Sequence, residues 1–63
     1  MTKPEKTALN MAKFIQGQSL LLLEKLNELN LDLEADMCEK IHEDAEDLYR
    51  TLSGRLHALQ DMN

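Results

Sequence analysis

Small or apolar residues recur at Ala8, Ala12, Ile15, Ser19, Leu22, Leu26 and Leu29, and this spacing of four and three keeps them on one side of a helix. With Ala12, Ser19 and Leu26 at heptad position a and Ala8, Ile15, Leu22 and Leu29 at d, the stripe is a packing seam. Thr2 followed three residues on by Glu5 predicts a capping box, and Pro4 is tolerated in the first turn, where its missing N–H would be unpaired anyway. A first helix is therefore predicted over about 3–29. The stretch from Glu28 to Asp32 interrupts the pattern: Asn30 suits the left-handed conformation that ends a helix, and the Asp32 side chain can cap the next one.

A second helix is predicted over about 32–56, after a turn at about 30–31. Cys38, Ile41, Ala45, Leu48 and Leu52 repeat the same spacing, with Leu31 and Leu59 in register and Glu34 and Arg55 on the seam near its ends. Asp36 with Lys40 and Glu46 with Arg50 have the favourable order for ion pairs along an exposed helix face. Nothing in the tail, 57–63, forbids a further helical turn. With one Pro, two Gly and two aromatic residues, Phe14 and Tyr49, the chain disfavours strands throughout. The fold class expected is all-α, a single domain over 1–63.

A turn this short makes the two helices antiparallel, a helical hairpin. Along the middle of the seam the a positions are small (Ala12, Ser19, Cys38, Ala45) and the d positions large (Ile15, Leu22, Ile41, Leu48), which lets facing layers interdigitate. Two helices cover such a stripe on one side only. A second hairpin encloses it, so the pattern predicts a homodimeric antiparallel four-helix bundle with all these seam residues in its core. Length agrees, because 63 residues build a core worth only a few kcal/mol without help from a metal, a disulfide or a partner.

Charge and cysteine content refine this picture. The lone Cys38 cannot close an internal disulfide, Met1 to Glu5 is no secretory signal, and the longest apolar run, Leu20 to Leu23, is too short to cross a bilayer. A cytoplasmic protein with no membrane partner is expected. The net charge is −5, which by itself argues against a phosphate-rich partner. Its distribution argues otherwise: residues 1–29 carry four lysines (Lys3, Lys6, Lys13, Lys25) against Glu5, Glu24 and Glu28, while residues 30–63 carry three basic and nine acidic side chains. The first helix is mildly basic and the second strongly acidic.

Candidate chemistry is sparse. Cys38 and His42 stand four apart on one helix, but two ligands are too few for a metal site and Cys38 occupies a core position, where a thiol acts as a small hydrophobe. The acidic run Glu39, Glu43, Asp44, Glu46 and Asp47 lacks the glycine and the alternation of a calcium loop, and reads as a solvated face. No nucleophile–base set and no phosphate loop is present, so neither enzyme activity, nor a cofactor, a metal or a small-molecule substrate is expected.

The runs Thr7-Ala8-Leu9-Asn10-Met11-Ala12-Lys13-Phe14-Ile15, Leu22 to Leu29, Ala35 to Glu39 and Leu48-Tyr49-Arg50 resemble the Rop (Rom) family, without gaps over about residues 1–56 and including exposed residues that packing does not require. From about His57 onward the resemblance ends. It implies a plasmid-encoded regulator of copy number, a homodimeric four-helix bundle that binds the loop–loop (kissing) complex of an antisense RNA with a complementary primer transcript. The first helix and its symmetry mate would form the RNA face.

Carried over residue by residue, the resemblance implies RNA contacts by Lys3, Asn10, Phe14, Gln18 and Lys25, with Lys13 standing where the family has Arg. Lysines would meet phosphates, and Asn10 and Gln18 would bond backbone or 2′-hydroxyl oxygens, contacts that read shape rather than sequence. Gln16 stands where the family has Arg, Gly17 where it has Ser, Leu21 where it has Thr and Leu52 where it has Cys. Weaker and less salt-sensitive binding is expected from the lost charge at Gln16. On the residues alone, the lysines read as a solvated face and Phe14 as a boundary residue over the seam, and only the resemblance overturns that reading. The rival reading is a structural oligomerisation bundle, including a redesigned Rop-like sequence whose altered core changed the topology or removed RNA binding.

Overall fold

The computed structural model describes residues 1–61, which form two long helices, α1 (Lys3–Glu28) and α2 (Asp32–Asp61), packed against each other as a hairpin. No strand occurs among the described residues, and the molecule measures 50 × 16 × 10 Å. None of the described helices is long and apolar enough to cross a membrane.

Local chemistry sets both ends of α1. Glu5 N–H donates to Thr2 Oγ1 at 3.3 Å and Thr2 N–H to Glu5 Oε1 at 2.8 Å, the reciprocal pair expected of a capping box. Hydrogen bonding to the Thr2 hydroxyl, and then to the Thr2 backbone, holds the Glu5 carboxyl below its ordinary value. At the other end Asn30 has φ 59°, the only left-handed non-glycine residue described. Around it Leu31 N–H donates to Leu26 O at 3.0 Å and Asn30 N–H to Asn27 O at 3.1 Å, a Schellman closure that satisfies carbonyls the helix would otherwise leave open.

The start of α2 differs from the expectation. Asp32 is the first helical residue rather than the cap: Leu31 O accepts from Ala35 N–H at 2.8 Å, and no hydrogen bond is made by the Asp32 carboxylate. The turn is tight enough that Leu31 already occupies the capping place, so Asp32 and Glu34 act only through their charge at the positive end of the helix. Of the two anticipated ion pairs, Glu46–Arg50 forms at 2.9 Å, while Asp36 and Lys40 do not pair. α2 continues past Leu56 to Asp61.

Packing divides the seam in two. Ala12, Ser19, Cys38 and Ala45, all at a, are buried between the helices, and Leu26 and Leu52 are half-buried. The same contact also takes in residues beside the a positions on the flank away from d: Ala35 and Leu56 are buried, and Leu9, Gln16, Leu23, His42 and Tyr49 are half-buried. By contrast Ile15, Leu22, Ile41 and Leu48 remain 50, 52, 57 and 56 % exposed, and Ala8 and Leu29 are exposed with them. The reason is geometric: a helix in a hairpin meets its one neighbour along a line between a and this flank, leaving d on an open side. Small residues at a let the backbones approach, and among the described residues no side chain is fully enclosed.

A polar cluster crosses this contact. Ser19 Oγ donates to Gln16 O at 2.7 Å, and His42 Nδ1 lies 2.7 Å from Ser19 Oγ and 3.2 Å from Gln16 O. A carbonyl oxygen can only accept, so the ring hydrogen belongs on Nδ1 and points at α1. One turn away the Cys38 thiol donates to Ser19 O at 3.4 Å. No buried side-chain nitrogen or oxygen among the described residues lacks a partner, as a polar group in a small core requires.

Candidate nucleic-acid interface

The side of α1 away from α2 carries a continuous ridge at Lys3, Thr7, Asn10, Phe14, Gln18, Leu21 and Lys25. Their spacings of four, three, four, four, three and four return to one face of a helix with 3.6 residues per turn, opposite the line of Ala12 and Ser19 that faces α2. Every one of these residues is exposed. From Lys3 to Lys25 the ridge runs about 33 Å at 1.5 Å per residue, long enough to reach across more than one groove of an RNA helix.

Asn10 and Phe14 line one shallow groove of about 310 Å³ with Thr7, Met11 and Ile15. Phe14 is 67 % exposed, far more than the hairpin's own packing would leave on a core ring. Thr7, Met11 and Ile15 were not among the residues expected at the site. Thr7 precedes Phe14 by one heptad, which is the signal that places it on the same ridge. Ile15 belongs to the open apolar side of the hairpin, so the candidate interface and that apolar side meet along this groove.

Lys13 is placed apart from the other five. It points to the flank of the hairpin, lining a groove of about 330 Å³ with Gln16, Gly17, Leu20, His42 and Glu46. Lys25 stays on the ridge but is not free: its Nζ lies 3.4 Å from Glu28 Oε2. Gln18 and Lys3 are exposed and make no side-chain hydrogen bond or ion pair among the described residues. On α2 the carboxylates Glu39, Glu43, Asp44 and Asp47 are exposed, and Glu46 is held by Arg50 at 2.9 Å with His42 Nε2 at 3.9 Å. The charge of the hairpin is thus divided by helix, four lysines against three glutamates on α1 and three basic against nine acidic side chains on α2.

No group of three or more metal-ligating side chains occurs among the described residues. Fold and face together define a small helical hairpin with an open apolar side and an outward polar ridge. A family model described as Rop protein matches residues 1–57. The regulatory protein rop of Escherichia coli is 62 % identical over 55 residues, covering 87 % of this chain and 87 % of that protein. The chain belongs to the Rop family, which is a family of regulatory proteins and not of enzymes.

Proposed function

We propose that this protein regulates plasmid copy number by binding, as a homodimer, the loop–loop complex of an antisense RNA with its complementary primer transcript, and by slowing the separation of the two RNAs. The observation that carries the reading is the exposed ridge of α1: Lys3, Asn10, Phe14, Gln18 and Lys25, the residues matched to the family, all stand on one face and none is used to pack α1 on α2. Lys13 contributes from the flank.

Dimerisation is supported by the open apolar side. Ala8, Ile15, Leu22, Leu29, Ile41 and Leu48 form a strip along both helices that a second hairpin would bury, closing a four-helix bundle. With the two copies antiparallel, two α1 ridges lie side by side and follow a bent RNA duplex with two-fold symmetry. A soft, shape-reading surface of amides, lysines and one aromatic ring accepts any complementary loop pair. The acidic α2 faces then repel RNA and confine it to the α1 side.

The test is the dissociation rate of a pair of RNA hairpins with fully complementary loops, with and without protein, against a plain duplex of equal length as competitor. Slower separation of the loop–loop pair, with preference over the duplex, is expected. Unchanged separation at saturating protein rejects the reading and favours a purely structural bundle.

A further inference from the structure

The carboxyl-terminal half of the α1 ridge is poor in positive charge. Beyond Phe14 its one cation is Lys25, and beside it stand Glu24 and Glu28. Only Glu28 touches it: Lys25 Nζ donates to Glu28 Oε2 at 3.4 Å, with both side chains well exposed. Glu24 makes no ion pair. Resting on the RNA-binding reading above, we propose that Glu28 is a built-in competitor for the phosphate that Lys25 would bind, so that RNA must displace an internal ion pair at each end of the two-fold interface.

The position of Glu28 supports a role other than helix stability. It lies in the last turn of α1, where the carbonyl ends carry partial negative charge and a carboxylate is unfavourable, whereas Lys25 suits that end. The pair also runs Lys before Glu along the chain, the weaker order for a helix. What the carboxylate does achieve is to neutralise the one cation on this stretch of ridge. An ion-paired lysine also releases fewer condensed counterions on meeting a phosphate, so the competitor lowers both the affinity and its dependence on salt.

The experiment is equilibrium binding of the complementary hairpin pair to the full chain and its variants over a salt series. Glu28→Gln should tighten binding by about three- to tenfold for two sites per dimer, given the modest strength of exposed pairs, and should steepen the salt dependence. Glu24→Gln removes the same charge one residue from Lys25 and should gain less. In a Lys25→Met background the gain from Glu28→Gln should disappear. An equal gain in that background, an equal gain from Glu24→Gln, or no gain from Glu28→Gln would each overturn the inference. If instead the unaltered chain binds the hairpin pair at no salt concentration, the proposed function itself fails along with it.

Discussion

Leu48 gives the sharpest test of how the hairpin completes its core. In the hairpin it is 56 % exposed at the centre of the open apolar side of α2. Full burial of a leucine side chain contributes about 1.5–3 kcal/mol, so covering the exposed part should contribute about 0.8–1.7 kcal/mol per chain and, by two-fold symmetry, about 1.7–3.4 kcal/mol per dimer. Leu48→Ala should therefore raise the dimer dissociation constant by roughly 15- to 300-fold, at about 1.4 kcal/mol for each factor of ten. The measurement is sedimentation equilibrium over a dilution series, with melting temperature recorded at the same concentrations. Glu39→Ala serves as the control, because Glu39 is exposed and, two residues before Ile41 and nine before Leu48, lies on the opposite side of α2. It should leave dissociation unchanged. If Leu48 acted only within a stable single hairpin, its truncation would lower the melting temperature by the same amount at every concentration. That result, or an unaltered chain that stays folded and monomeric at high dilution, would refute the reasoning.

Other expectations follow from the same geometry. Phe14→Ala should abolish most RNA binding while moving the melting temperature little, since the ring is largely exposed; a large loss of stability would instead make Phe14 a packing residue. Gly54→Ala should stabilise each chain by about 0.5–1 kcal/mol in urea denaturation, because an added methyl meets nothing within 4 Å and alanine is the better helix former. Glu5→Gln tests the capping box. The folded-state value of Glu5 is lowered, so its contribution is present above the ordinary glutamate value and is lost as pH falls through the lowered one. The difference in melting temperature between Glu5→Gln and the unaltered chain should accordingly vanish in acid; a difference that persists there would assign the effect to shape rather than charge.

Much of the hairpin is legible along the chain because its determinants are local. The Thr2–Glu5 box, the left-handed Asn30 and the heptad of small and large residues each act over a few residues, through backbone donors, a permitted φ and the 3.6-residue period. The outward ridge from Lys3 to Lys25 follows from the same period. The helix start at Asp32 is legible, but its cap is Leu31 rather than the Asp32 side chain, because a cap is chosen by the path of the turn and the Schellman closure brings Leu31 to that place.

Tertiary structure alone decided how the stripe is shared. Heptad spacing says that a and d lie on one side of a helix, but which half a neighbour covers depends on the direction in which the turn sends α2. That direction buries Ala12, Ser19, Cys38 and Ala45, draws in Ala35 and Leu56, brings His42 onto Ser19 and leaves Ile15, Leu22, Ile41 and Leu48 open. It also places His42 and Glu46 beside Lys13, on the flank that the helical period had already set apart from Phe14. These are contacts between residues on different helices, 19 to 26 positions apart where side chains hydrogen-bond across them, and no period along one helix specifies them.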